Sequence, residues 1–151
     1  MDPIFKKLNY KGQGRLMVIN APESFAPHLQ AMEGTAQLDN SLSTATEVNW
    51  LLAFVTQPDE ITAIAHQLSG RLEGDPTLWF AYPKKSSKKY DSEITRDHGW
   101  APLGALNLEP VRQVAVDEDW SALRFRRVEH IKSMKRRSSM RISPEGKKQE
   151  D

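Results

Sequence analysis

Apolar residues in this chain fall into short, dense blocks separated by polar joints, and the spacing within the blocks changes along the sequence. Residues 15–20 (RLMVIN) are a mostly apolar run closed by Ala21-Pro22, which predicts a strand. Phe25, Leu29 and Met32 then share one helical face over residues 24–32, with Pro27 in the first turn and Gly34 as the stop. Residues 35–39 (TAQLD) predict a second, weaker strand, and 40–44 read as a loop. The block 47–55 (EVNWLLAFV) has the apolar density of a strand covered on both faces. Thr56 as cap, Pro58 in the first turn, and Asp59 and Glu60 at the positive end of the dipole predict a helix start. Ile61, Ile64, Ala65, Leu68 and Leu72 continue it at helical spacing.

Gly74-Asp75-Pro76 breaks that helix before residues 77–82 (TLWFAY), a second central strand. Residues 93–108 predict a broken helix or two short ones, because Gly99, Pro102 and Gly104 oppose one continuous rod. Residues 111–117 and the alternating run 120–127 form a terminal hairpin about Glu118-Asp119. Strands alternating with helices predict an α/β fold: a single mixed, largely parallel sheet with helices packed on it and a C-terminal β-hairpin.

A chain of 151 residues, 38% hydrophobic and 27% charged, suits one domain with its own core. We expect residues 1–14 to be a flexible arm, 15–129 the domain, and 130–151 a basic, disordered tail. The absence of cysteine excludes disulfides, thiolate metal sites and cysteine nucleophiles, and makes the cytoplasm the expected compartment. No apolar run approaches the length needed to span a bilayer. The net charge of +1 hides a split: residues 124–141 carry eight Lys/Arg against Glu129 alone, whereas residues 1–123 carry eleven against sixteen Asp/Glu. Such an uneven distribution suits a polyanionic partner for the tail, with Lys135, Arg136 and Arg137 as contacts.

With those elements placed, Leu78-Trp79-Phe80-Ala81-Tyr82-Pro83-Lys84, Ser87-Lys88, Asp91, Ile94, Arg96-Asp97 and Trp100, followed by residues 114–125 (VAVDEDWSALRF), resemble an uncharacterised family of small bacterial proteins, a domain of unknown function. The resemblance covers about residues 77–127 and implies a bacterial, cytoplasmic α/β domain. It brings with it no activity, cofactor or catalytic residue.

Ligands of open α/β sheets bind beyond the carboxyl ends of the parallel strands. That edge is expected to gather Asn20, Thr56, the loop from Tyr82 to Lys89 and, if its strand runs parallel to the others, Asp117. The loop 84–89 (KKSSKK) holds four lysines and two serines ahead of the expected helix, a composition that suits an anion, with Lys84, Lys85, Ser87, Lys88 and Arg96 as its contacts. It contains no glycine to wrap a phosphate, and neither a P-loop nor a G-x-G-x-x-G motif occurs, so no cofactor is implied. The histidines are scattered and no metal-ligand spacing is present. The sequence therefore points to a non-enzymatic binding or interaction module that recognises phosphate through 84–89, on a small ligand or on nucleic acid. Two alternatives stand beside it: a small enzyme with an acid–base site of Asp97, His98 and Asp117, and an oligomerisation protein using Trp100, Trp120 and the hairpin. The tryptophans 50, 79, 100 and 120 are expected in the core, and Asp117 to Asp119 in a turn bonded to local backbone.

Overall fold

A computed structural model describes residues 1–42, 47–72, 74–131 and 141–144. The expected fold class is borne out. Six strands form one sheet in the order β2-β1-β3-β4-β6-β5, with β1 at Leu16–Ile19, β2 at Leu38–Asp39, β3 at Trp50–Phe54, β4 at Thr77–Pro83, β5 at Leu108–Ala115 and β6 at Trp120–Arg127. The pairs β1·β2, β1·β3 and β3·β4 are parallel. The terminal hairpin folds back so that β6 lies antiparallel between β4 and β5. Pro110 sits in β5, at the sheet edge and beside a register shift, where a missing N–H is tolerated.

Side-chain alternation divides the core in two. Leu51, Ala53, Leu78, Phe80, Leu123 and Phe125 face one layer, covered by Ile61, Ile64 and Leu68 of α3 (Pro58–Leu68) and by Leu103 of α4 (Ala101–Gly104). Leu16, Val18, Trp50, Leu52, Trp79 and Ala122 face the other. There they meet Ile4 and Phe5 of α1 (Pro3–Lys7), Phe25, and Met32 of α2 (Ala26–Met32). The strands β3 and β4 are buried along their whole length, as their unbroken apolar runs require.

All four tryptophans are buried. Trp100 and Trp120 lie on opposite faces of the sheet: Trp100 packs on Phe80 and Phe125, Trp120 on Phe54 and Tyr90. The α3 start differs in detail too. Glu60 Oε1 accepts from the Thr56 and Gln57 backbone N–H groups, each at 2.9 Å, and from the Thr56 hydroxyl at 3.0 Å, so the first-turn carboxylate caps the residues that precede it.

Three stretches depart from expectation. The N-terminal arm is held: the Asp2 carboxylate caps α1, Phe5 and Leu8 are fully buried, and the Trp50 and Trp79 indoles both donate to the Leu8 carbonyl. The helix expected over 93–108 is reduced to the single turn α4, with the chain ahead of it closed by a bridge between Thr95 and His98. Gly99 at φ 106 turns the backbone where a helix cannot continue. Beyond residue 130, Arg141 and Ser143 are buried and Glu109 anchors the segment, accepting the backbone N–H groups of Ile142 and Ser143 and the Ser143 hydroxyl.

Candidate functional site

The sheet order reverses at β1: β2 is its neighbour on one side and β3 on the other. The connection through α2 covers one face and α3 covers the opposite face, so the chain segments leaving β1 and β3 diverge at their carboxyl ends. A crevice opens at such a switch point in doubly wound folds. Here a cavity of about 290 Å³ lies beside it, lined by Ile19 at the end of β1 and Asn20 after it, Asn40, Ser41 and Leu42 after β2, and Glu60, Ala63, Ile64 and Gln67 on α3. That volume falls just below the range of small-molecule pockets, which run from about 300 Å³ upward.

The lining is built by local sequence. Asn20 ends β1 at φ 57, a left-handed conformation that asparagine tolerates and that turns the chain sharply out of the strand. Glu60, Ala63, Ile64 and Gln67 follow the i, i+3, i+4, i+7 spacing, so one stripe of α3 borders the cavity while Ile61 and Leu68 remain in the core. Asp39, the last residue of β2, stands next to this lining and pairs with Arg15 at 3.4 Å. Among the described residues no lysine or arginine side chain lines the cavity, although Arg71 donates to the carbonyl of Leu42 in its wall. Its donors and acceptors are amides, a hydroxyl and the Glu60 carboxylate, set among apolar walls.

Asn20 reaches this edge as expected from sequence. Asn40 and Ser41 were legible only as loop, and Glu60 only as a helix-start residue. Ala63 and Gln67 carry no signal beyond their place on a helical stripe.

The basic loop is also at the carboxyl edge, one strand further along. Its backbone is tied to the hairpin turn: Lys84 N–H donates to the Asp119 carbonyl at 2.8 Å, and the Ser87 hydroxyl donates to Asp119 Oδ1 at 2.8 Å. The Ser87 oxygen in turn accepts from the N–H groups of Lys89 and Tyr90, each at 3.2 Å. Lys85, Lys88 and Arg96 are exposed and Lys84 is half-buried. Burial raises the pKa of Tyr82 at the end of β4; the Arg96 charge opposes that shift and the Asp97 charge adds to it. Lys135, Arg136 and Arg137 lie outside the described residues.

The acid–base alternative is placed as follows. Asp117 is at the carboxyl edge, but its Oδ1 accepts the N–H groups of Asp119 and Trp120, at 2.8 and 2.9 Å, closing the hairpin turn as expected. Asp97 and His98 are exposed on the Thr95–His98 turn. Among the described residues there is no group of three or more His, Asp or Glu able to hold a metal, and no helix is long and apolar enough to cross a membrane.

No family model matches the sequence, and no curated protein matches it. Solved structures do. A SAM-dependent methyltransferase from Aquifex aeolicus covers 83% of this chain and 88% of its own, at 13% identity and a TM-score of 0.52. A Sulfolobus solfataricus protein described as a type 11 methyltransferase covers 85% of this chain and 79% of its own, at 9% identity and a TM-score of 0.51. At these identities the likeness is one of fold.

The expectation of a non-enzymatic module organised round the lysine loop is corrected by these neighbours, which share this chain's fold and are described as methyltransferases. The loop's own geometry agrees with the correction. No helix follows it directly, so the N–H dipoles invoked for an anion are missing, and its Ser87 hydroxyl is already donated to a carboxylate.

Proposed function

We propose that this chain is a methyltransferase that uses S-adenosylmethionine, bound in the crevice over the carboxyl ends of β1 and β2. The observation that carries the reading is the cavity's position, at the point of strand-order reversal in a sheet whose fold neighbours include methyltransferases. The lining supports it by its chemistry. An adenosyl sulfonium carries no phosphate and has a positive centre. A cavity with no lysine or arginine side chain among its described lining residues and with the Glu60 carboxylate in its wall fits that charge better than it fits a phosphorylated dinucleotide. Ile19, Leu42, Ala63 and Ile64 would flank the base, and Asn20, Asn40 and the nearby Asp39 would take the sugar hydroxyls.

When bound, the cofactor supplies an activated methyl group to a nucleophile. The protein's part is to hold and orient both reactants and to keep water from the transfer path. Residues 20–25 contain no glycine, so the close backbone approach familiar from glycine-rich nucleotide turns is replaced by Asn20 in its left-handed conformation. The same reading extends to the bacterial family that residues 77–127 resemble, with the cytoplasm as its compartment.

Calorimetric titration of the full chain with S-adenosylmethionine tests the proposal. A dissociation constant below about 1 mM is expected, weakened about tenfold by Asn40→Ala, the order expected when a polar ligand contact is lost. Absence of heat up to millimolar cofactor, in a protein shown to be folded, overturns it.

A further inference from the structure

The β5–β6 side of the sheet, from mid-strand to the amino ends of the parallel strands and away from the crevice, carries a second concentration of charge. Arg112 on β5 and Arg124 on β6 are register partners, so their side chains leave the same face of the sheet side by side. Arg126, two residues further along β6, shares that face. Against these three guanidinium groups stands the carboxylate of Asp75, which Arg126 grips in a fork at 3.1, 3.2 and 2.6 Å. The neighbouring cations are otherwise engaged: Arg127 pairs with Glu129 and donates to the Gly74 carbonyl, and His130 Nε2 lies 2.8 Å from the same oxygen.

Arg124 is held where it is. Its Nε is sealed from solvent with no partner among the described residues, and Nη1 meets Asn9 Oδ1 only at 3.5 Å, the limit of a hydrogen bond. Burial disfavours its charged form, and Arg126 and Arg112 push the same way against the single attraction of Asp75. Like charges directly opposite one another across two strands destabilise a sheet unless a counter-charge offsets them. A guanidinium fixed by packing also loses little freedom when it binds, and its planar fork suits an oxyanion.

We propose that Arg112 and Arg124, with Asn9 beside them, form a binding site for a phosphate group, free on a small molecule or in a nucleic-acid backbone. The site is separate from the crevice and does not depend on the methyltransferase reading. It also differs from the lysine loop, which lies at the other end of β4.

The test is titration of the full chain with inorganic phosphate and, in parallel, with a short single-stranded RNA at several salt concentrations. Arg112→Gln, at an exposed position of the edge strand, is expected to weaken the phosphate-group ligand about tenfold and to reduce the RNA salt slope by about one. Arg124→Lys keeps the charge but not the fork, so it should weaken binding with the salt slope unchanged. Binding of free phosphate that Arg112→Gln weakens supports a small phosphorylated ligand, and binding of RNA alone with the same sensitivity supports a backbone contact. If neither probe binds, or if binding is equally tight in Arg112→Gln, the proposal fails; in the second case the anion is held elsewhere on the chain.

Discussion

The carbonyl oxygen of Leu8 joins α1 to the sheet, accepting the Trp50 indole N–H at 3.0 Å and the Trp79 indole N–H at 2.8 Å. Two lone pairs take two donors, so losing either indole N–H still leaves the oxygen bonded, whereas losing both leaves a buried carbonyl unsatisfied. Trp50→Phe and Trp79→Phe should each cost about 1 kcal/mol beyond the lost ring area, and the double variant should exceed their sum by about 1–2 kcal/mol. Urea denaturation of the four proteins measures this, and strict additivity would contradict it. Asp75 makes a second statement at this scale. The Arg126 fork holds its carboxyl below the ordinary carboxylate range. Its folded value is depressed, so its contribution to stability is present above the unfolded value of about 3.9 and is lost as pH falls through the folded one. The difference in denaturation midpoint between the wild type and Asp75→Asn should therefore shrink as the pH drops below about 4. A difference that stays constant in acid would count against the pair.

Among the elements, the segment 141–144 is the one most dependent on a single small residue. A Cβ placed on Gly104 would lie 2.2 Å from the Ile142 carbonyl oxygen and 2.9 Å from Ile142 Cβ, contacts that no side chain can make. Gly104→Ala should thus displace the segment from α4 and from Glu109 while the sheet stays folded. Hydrogen exchange would show it as lost protection at Ile142 and Ser143, whose N–H groups Glu109 accepts, with β3 and β4 unaffected. Unchanged protection at those two amides would refute the placement. Nothing in the sequence announces this segment, because the partner that holds it, Glu109, is more than thirty residues away and reads as a polar strand residue. The same reason hid α1: residues 1–14 look polar, and only their burial against Trp50 and Trp79 makes Ile4, Phe5 and Leu8 core. By contrast β3, α3 and β4 were legible because their signals are local, an unbroken apolar run or a 3.6-residue stripe. Of the breakers named over 93–108, Gly99 at φ 106 turns the chain ahead of the helix, whereas Pro102 and Gly104 lie inside the one turn that forms, Pro102 at its start where a missing N–H is tolerated.

At the scale of the molecule the sheet separates two chemistries, a neutral-to-acidic cavity at its carboxyl edge and an arginine pair at mid-strand on β5 and β6. Position at the carboxyl edge was legible from where the parallel strands end, which is why Asn20 was foreseen; the cavity itself was not, because it needs α3 and the chain after β2 to be laid side by side in space. If both sites act as proposed, they should be separable by substitution. Ala63 is exposed on α3 and lines the cavity, so Ala63→Trp can fill that space without entering the core, at a helix-propensity cost of about 0.5 kcal/mol. It should abolish S-adenosylmethionine binding in calorimetry while leaving phosphate binding intact, and Arg112→Gln should do the converse. The sites share no residue, and sites without shared partners contribute independently. The double variant should therefore lose both ligands and differ in stability from the wild type by the sum of the single changes, within about 0.5 kcal/mol. Loss of both ligands in either single variant, with the fold retained, would mean that the two regions are coupled through β4 and β6 and that they act as one site rather than two.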